Sequence, residues 1–147
     1  MMKDRILVAI DGSKNSLEAL DEAVKLAMAA PSKLYLVNVQ PSFHTFHTRL
    51  FIGEEMIKEY QTELYDKVMD SAVQHLEGRD IEYVAFMKVG DPVYQISQLA
   101  KDLKVKYIVM GSRGMGLIRG TVLGSVSTGV LHETHVPVLI IPQKNKS

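Results

Sequence analysis

Five segments of the chain are unbroken or nearly unbroken runs of apolar residues, rich in Val and Ile. Runs of this kind predict strands that are covered on both faces, as in a parallel sheet. They comprise residues 6–10, 34–39, 81–89, 105–110 and 136–141. The run 81–89 also contains Glu82 and Lys88, and this mixture predicts a less covered strand at an edge of the sheet.

Between these runs the apolar residues recur every three or four positions, which is the period of an α-helix. The inward positions are Leu17, Leu20, Val24 and Met28 in the first predicted helix, Ile57, Tyr60, Leu64, Val68 and Leu76 in the second, Val93, Ile96, Ala100 and Leu103 in the third, and Val126, Val130 and Leu131 in a short fourth helix after Ser125. The second helix is expected from about Gly53 to Glu77, and Pro92 suits the first turn of the third, where no N–H is needed. Met28, Met56 and Met69 fall near helical core positions, so we expect them to fill the core.

The predicted elements alternate strictly between strand and helix. This order predicts an α/β fold, a Rossmann-like parallel sheet of five strands with right-handed crossovers and helices on both faces. A length of 147 residues fits one domain that spans residues 1–147. Two connections, residues 40–52 and 111–124, are long for such a fold, and long loops in compact domains are often functional.

Composition narrows the classes of function. Lys plus Arg and Asp plus Glu both number 17, so the net charge is zero and the chain lacks the broad basic field of nonspecific nucleic-acid binding. The absence of cysteine excludes disulfides, thiolate metal sites and cysteine nucleophiles. No segment has the length and apolarity of a membrane span, and the first apolar run is too short for the core of a signal peptide. We therefore expect a cytoplasmic protein that binds neither membranes nor nucleic acids.

The loop after the fourth strand run carries the most informative chemistry. Six glycines lie between residues 111 and 129, and the loop starts where a strand ends and stops where a helix begins. Glycine lets a ligand approach the backbone, and a helix N-terminus offers free N–H groups and a partial positive charge. Together these features predict a phosphate site, to which Ser125 and Ser127 can add hydroxyl donors and Arg113 and Arg119 can add charge.

Two familiar phosphate fingerprints fit this loop poorly. A Walker loop would need Lys where Leu117 follows Gly116, and a dinucleotide pattern that starts at Gly114 would need glycine where Arg119 stands. Because no lysine occupies a Walker position and no base is placed to activate water, we assign no catalytic residue.

The spacing Gly111-x-x-Gly114, nine residues, Gly124-Ser125 resembles the ATP-binding signature of the universal stress protein family. Three further motifs resemble that family in the same order along the chain. They are the strand and turn at residues 6–13, the turn Gly90-Asp91-Pro92 and the strand at residues 136–140. The resemblance implies a sheet of order 3-2-1-4-5, a homodimer through the fifth strand from Val136 to Ile141, and bound ATP. We expect Mg²⁺ to accompany the ATP.

The resemblance also implies which residues border the nucleotide. They are Ala9, Asp11 and Val39 for the adenine, Met110, Gly111 and Gly114 for the ribose and the first phosphate, and Gly124, Ser125, Val126 and Ser127 for the phosphates. Arg113 is added for its charge. In an open parallel sheet of this order the ligand crevice lies between strands one and four, beside Asp11 and Gly111.

Several of these residues also have ordinary structural interpretations. Asp11 suits a cap for the turn before the first helix as well as it suits a ligand or Mg²⁺ contact, and Ser13 suits a helix cap. Arg113 and Arg119 are equally consistent with solvated surface charges.

Two other features of the sequence carry no assigned chemistry. The pairs His44 and His47, and His132 and His135, are each three residues apart without an evident third ligand, so no metal site is assigned to them. The loop of residues 40–52 folds over the adenine or onto a partner, and its sequence does not choose between the two.

We expect an ATP-binding stress-response or regulatory protein with little or no hydrolysis. One rival is a slow ATPase or a nucleotidyl-transfer enzyme, which steady turnover above about 1 s⁻¹ would favour. Another is a partner-binding scaffold whose nucleotide site is vestigial, which the absence of nucleotide affinity would favour. A flavodoxin-like electron carrier is the weakest alternative, since the chain has no tryptophan to stack on a flavin.

Overall fold

The computed structural model of the chain describes residues 3–42, 53–113 and 123–144. Within these ranges strands and helices alternate, as the hydrophobic pattern predicts. The strands are β1 (Asp4–Ala9), β2 (Ser32–Gln40), β3 (Tyr83–Val89), β4 (Tyr107–Gly111) and β5 (Val138–Ile141). The helices are α1 (Lys14–Ala29), α2 (Glu54–Leu76), α3 (Pro92–Leu103) and α4 (Ser125–Glu133). Each predicted strand and helix is present, and the ends of the strands and of α2 differ from the predicted ones by two residues at most.

The five strands form one sheet of order β3-β2-β1-β4-β5, and each neighbouring pair is parallel. This confirms the predicted α/β class and the sheet order that the family resemblance implied. β3 lies at an edge, and its side chains are half-buried or exposed, in agreement with the polar residues of its sequence. Because the chain winds outwards from β1 in both directions, the winding reverses between β1 and β4.

Alternate residues of the strands point to opposite faces of the sheet, and each face packs on two helices. One hydrophobic cluster joins α1 and α2 to Ile6, Val8, Leu34, Leu36 and Val109. The other joins α3 and α4 to Leu7, Tyr35, Val37, Ile108 and Met110. Since the central strands are buried on both faces, their carboxyl ends form a rigid edge on which a site can be built.

Two of the helices begin with a side-chain cap. The Ser13 hydroxyl accepts the N–H of Ser16 at 3.1 Å, which confirms Ser13 as the cap of α1. The Asp91 carboxylate accepts the N–H of Tyr94 at 2.8 Å at the start of α3, and Pro92 occupies the first turn as predicted. These caps use up N–H groups that would otherwise face solvent or a ligand.

The helical pattern predicts four core residues wrongly, because their side chains are exposed. The exposed fractions are 68% for Met28, 62% for Met56, 52% for Tyr60 and 43% for Leu131. In α1 the buried stripe steps from Val24 to Ala27 rather than to Met28, and in α4 it ends on Val130 beside Leu131. The 23 residues of α2 span about 35 Å, so its first turns extend past the strands. Met69, near the other end of α2, is buried as expected.

Some expectations fall outside the described residues. Gly114, Arg119, His44, His47 and most of the loop of residues 40–52 belong to this group. In the ranges that the structure does describe, no helix combines the length and the apolar character needed to cross a bilayer.

The contact between α3 and α4 leads to a stability prediction. A Cβ on Gly129 of α4 would lie 2.5 Å from Val93 Cγ2 of α3, well inside van der Waals contact. In Gly129→Ala the better helix propensity is worth up to about 1 kcal/mol, whereas overpacking costs about 1–3 kcal/mol. Because a β-branched Val93 has little freedom to move away, we expect a net loss of about 1 kcal/mol in the free energy of unfolding, measured with urea.

Thr128→Ala is the matched control for this prediction. Thr128 is exposed on the same helix, so the substitution changes helix propensity without the contact with α3. We expect Thr128→Ala to be neutral or slightly stabilising. A Gly129→Ala protein that is more stable than the parent chain would contradict the account of this helix contact.

Candidate functional site

A cavity of about 280 Å³ lies at the carboxyl ends of β1, β2 and β4, where the winding of the sheet reverses. The starts of α3 and α4 complete its walls. The lining residues are Ala9, Ile10, Asp11, Ser16, Val37, Val39, Pro92, Ile96, Met110, Gly111, Arg113, Gly124, Ser125, Val126 and Ser127. Ligands of open α/β sheets bind at this kind of position, because the strands end there and adjacent connections diverge.

Every candidate site residue within the described ranges lines this cavity. They are Ala9, Asp11, Val39, Met110, Gly111, Arg113, Gly124, Ser125, Val126 and Ser127. Gly114 lies outside the described residues. The structure thus brings together residues that are more than 100 positions apart in the sequence.

The walls of the cavity differ in character from one side to the other. Val37, Val39 and Ile96 give one side an apolar surface, and Met110 lies on the same hydrophobic cluster. Asp11, Arg113 and the first turn of α4 give the other side charge and hydrogen-bonding groups. A pocket with an apolar body and a few placed polar groups suits a ligand that has a flat ring at one end and charge at the other.

The start of α4 presents backbone N–H groups to the cavity. Gly124 occupies the cap position, and it brings no side chain to bond these groups, in contrast to Ser13 in α1 and Asp91 in α3. The first N–H to bond back within the helix is that of Thr128, which donates to the Gly124 carbonyl at 3.0 Å. The N–H groups of Ser125, Val126 and Ser127 therefore have no acceptor inside the helix and lie in its positive end.

Two hydrogen bonds fix this helix start against β4. The N–H of Gly124 donates to the Ser112 carbonyl at 2.8 Å, so the glycine-rich loop leaves and returns at the same place. The Ser127 hydroxyl donates to the Gly111 carbonyl at 2.8 Å. The expectation that the Ser127 hydroxyl donates to a phosphate is therefore wrong, because that hydroxyl already donates to β4. The N–H of Ser127 is the group that remains for a ligand. Ser125 is exposed, which leaves its hydroxyl accessible.

Asp11 has a structural role at the rim of the cavity. Its Oδ1 accepts hydrogen bonds from the N–H of Ser13 at 2.9 Å and from the Ser13 hydroxyl at 2.5 Å. The carboxylate thus orders the turn that leads into α1, as one of the two interpretations predicted. Among the described residues its Oδ2 has no hydrogen-bond partner, and Asp11 lines the cavity.

Asn15 is a polar residue beside the site that the sequence interpretation missed. It is 2% exposed, its Oδ1 accepts the N–H of Arg113 at 2.9 Å, and its Nδ2 donates to the Ile141 carbonyl at 3.0 Å. A Cβ on Gly111 would lie 2.6 Å from Asn15 Cγ, so glycine is needed there for the two to lie side by side. An asparagine early in a helix, where its propensity is poor, was the available signal.

The cavity is also lined by apolar residues that were not among those implied by the family resemblance. Pro92 and Ile96 come from the start of α3, which packs beside α4 on the same face of the sheet. Ile96 was predicted as a core residue, and its position near the start of α3 gives it a second role as a wall.

The described residues contain no group of three or more His, Asp or Glu side chains close enough to hold a metal ion on their own. His132 and His135 are both exposed.

Comparisons with known proteins give this geometry a family context. Residues 2–142 match the model of the universal stress protein family. The universal stress protein YxiE of Bacillus subtilis is 32% identical over 147 residues, which cover 95% of this chain and 99% of that protein.

Two solved structures show the same architecture at a similar level of identity. The structure of protein MJ0577 of Methanocaldococcus jannaschii superposes with a TM-score of 0.84 at 27% identity, and 99% of each chain is covered. A universal stress protein solved in complex with cAMP superposes with a TM-score of 0.60 at 27% identity, over 97% of this chain and 98% of that one.

The family match extends over nearly the whole chain. The sheet order of the chain is also the one that the family resemblance implied. The chain belongs to the universal stress protein family.

Proposed function

We propose that this protein binds ATP in the cavity between β1, β4 and the start of α4, and that it acts as a regulatory or stress-response protein with little or no hydrolysis. The observation that carries the proposal is the combination of an apolar wall with uncapped helix N–H groups in one cavity. The relative in complex with cAMP supports an adenine nucleotide as the class of ligand. Binding would stabilise whichever conformation of the protein holds the nucleotide better.

The adenine is proposed to lie on the apolar side, against Ala9, Val37 and Val39. Removal of about 100 Å² of ring surface from water would contribute about 2.5 kcal/mol. The ribose would lie beside Met110 and Gly111, where a side chain on the glycine is absent. This placement leaves the phosphates pointing toward α4.

The phosphates are proposed to bind the N–H groups of Ser125, Val126 and Ser127, with the Ser125 hydroxyl as a further donor. The helix dipole alone contributes about 0.3–1 kcal/mol, whereas each hydrogen bond to a charged group contributes about 1.5–3 kcal/mol. Direct N–H contacts therefore carry most of the phosphate affinity. Arg113 lies at the same end of the cavity and adds positive charge.

Asp11 is the residue that we propose to contact Mg²⁺. Mg²⁺ is usually held by one or two carboxylates together with phosphate oxygens and water. Asp11 places one carboxylate at the cavity, with Oδ1 engaged by Ser13 and Oδ2 left for a cation. When bound, the ion would neutralise charge on the phosphates, and Asp11 would orient it.

The direct test is to denature freshly purified protein and identify the released nucleotide by chromatography. Calorimetric titration of the nucleotide-free protein with ATP then gives the affinity. Release of ATP, or saturable binding below millimolar concentrations, is the expected result. Protein that carries no nucleotide and does not bind ATP at millimolar concentration would refute the proposal.

Ser125→Asp separates ligand binding from fold stability. A carboxylate in the first turn of α4 stabilises the helix through its dipole, so the free energy of unfolding should stay the same or rise slightly. The same carboxylate repels the phosphates, and at an effective dielectric constant between that of protein and water we expect about tenfold weaker ATP binding. Urea denaturation and calorimetry measure the two effects.

Thr128→Asp is the matched control for Ser125→Asp. Thr128 is exposed one turn further along α4 and is not among the described residues that line the cavity, so the same charge is added away from the phosphates. Its effect on ATP affinity should be clearly smaller. Equal effects of the two substitutions, or none, would contradict the placement of the phosphates.

Asp11→Asn tests the proposed Mg²⁺ contact. The amide oxygen of asparagine can still accept from Ser13, so the turn is kept while the negative charge is lost. We expect binding of ATP with Mg²⁺ to weaken several-fold and binding of ATP in excess EDTA to stay equal or become tighter. Calorimetry under both conditions decides, and an equal loss with and without Mg²⁺ would show that Asp11 does not contact the ion.

We also propose a homodimer through β5. β5 pairs with β4 on one side, and no strand of the described ranges pairs with its other side. Val138 and Ile140 pack on the cluster that includes α3 and α4, whereas the Leu139 side chain is 39% exposed. An apolar edge strand is a common pairing surface, and lysine on such a strand opposes pairing.

Leu139→Lys should convert the dimer to a monomer in analytical ultracentrifugation. Leu131→Lys is the matched control, because Leu131 is a comparably exposed leucine on α4 and the added charge is the same. A monomeric parent chain, or a Leu139→Lys protein that still sediments as a dimer, would place the interface elsewhere or remove it.

A further inference from the structure

We propose that Asn15 is a positioning residue for the nucleotide site, which holds the start of the glycine-rich loop in the geometry that binds phosphate. The proposal rests on the function proposed above, and it concerns a residue that does not itself line the cavity. Asn15 would act through Gly111 and Arg113, which do.

The contacts of Asn15 join three separate parts of the fold. The residue belongs to the first turn of α1, its Oδ1 accepts the N–H of Arg113 at 2.9 Å, and its Nδ2 donates to the Ile141 carbonyl at 3.0 Å. The partners fix the orientation of the amide, because the N–H needs an acceptor and the carbonyl needs a donor. A single side chain thus links α1, the second residue after β4, and the end of β5.

The space around the side chain is filled. A Cβ on Gly111 would come within 2.6 Å of Asn15 Cγ, and closer still to Oδ1. Asn15 is also 2% exposed, so water has little access to replace its hydrogen bonds. The absence of a side chain at Gly111 therefore serves Asn15 as well as the proposed ligand, and the two residues constrain each other.

No other side chain of similar size meets both requirements. Aspartate keeps the acceptor for Arg113 but loses the donor for the Ile141 carbonyl and sets like partial charges against each other. Leucine has the same branched shape and number of side-chain heavy atoms, but it leaves both backbone groups without a partner, which is unfavourable in a buried place. Loss of Asn15 should therefore release the loop at Arg113, at the point where it leaves the sheet.

A fixed loop start matters for affinity because a flexible one must be ordered when the ligand binds. Arg113 is the last described residue before the loop, and Ser112 accepts the N–H of Gly124 from the loop's other end. With Asn15 in place, both ends of the loop are held before any nucleotide arrives. Asn15 would thus raise affinity without touching the nucleotide.

The test compares the parent chain with Asn15→Asp, Asn15→Leu and Val24→Ala. ATP affinity is measured by calorimetry at a temperature at which circular dichroism shows each protein folded, and exchange of the Arg113 amide proton is measured by NMR without nucleotide. Val24 is buried in the α1 core away from the cavity, so its truncation lowers stability by a core mechanism alone.

We expect Asn15→Leu to bind ATP about tenfold more weakly, with faster exchange at Arg113. Asn15→Asp should lie between it and the parent chain in both measurements. Val24→Ala should keep its ATP affinity and its slow exchange at Arg113. Unchanged affinity in folded Asn15→Leu, or an equal loss in Val24→Ala, would overturn the proposal.

Two further results test the role of Asn15 if Asn15→Leu does not fold or if the parent chain does not bind ATP. If Asn15→Leu does not fold, the parent chain alone is informative, because a rapidly exchanging Arg113 amide in it would show that Asn15 does not hold the loop. If the parent chain does not bind ATP, the proposed function fails, and the order of Arg113 exchange among the folded proteins still decides whether Asn15 positions the loop.

Discussion

The site depends on the attachment of the first turn of α4 to the end of β4. The Gly124 N–H to Ser112 carbonyl bond and the Ser127 hydroxyl to Gly111 carbonyl bond, both 2.8 Å, make this attachment. They place the unbonded N–H groups of α4 next to the point where β1 and β4 diverge. These two hydrogen bonds therefore bring the positive end of α4, the apolar residues and Asp11 to one cavity.

Much of this arrangement follows from the hydrophobic pattern. Continuous apolar runs specify buried parallel strands, and once β1 and β4 are adjacent, Asp11 and Gly111 must lie at the same edge. The adjacency itself came from the family resemblance, since alternation of strands and helices is compatible with several sheet orders. The sheet order and ten of the cavity-lining residues were accessible in this way.

What the sequence did not reveal depends on contacts between distant residues. Asn15 resembles any polar residue near a helix start until the fold brings Arg113 and Ile141 to it. Ser127 looks like a free hydroxyl donor until the carbonyl of Gly111 lies beside it. Met56 has the helical spacing of a core residue, but its end of α2 extends beyond the strands, and a periodic pattern carries no information about where the sheet stops.

The proposed function requires that main-chain amides at the start of α4 bind the phosphates of ATP. NMR titration of the isotope-labelled, nucleotide-free protein with ATP tests it most directly, by following individual backbone amides. If the α4 amides do bind the phosphates, Ser125, Val126 and Ser127 should show saturable shifts at the same ATP concentration as Val39, with the amides of β3 and the last turns of α2 unchanged. Saturable binding that leaves the three α4 amides unmoved, or shifts confined to another part of the fold, would contradict it.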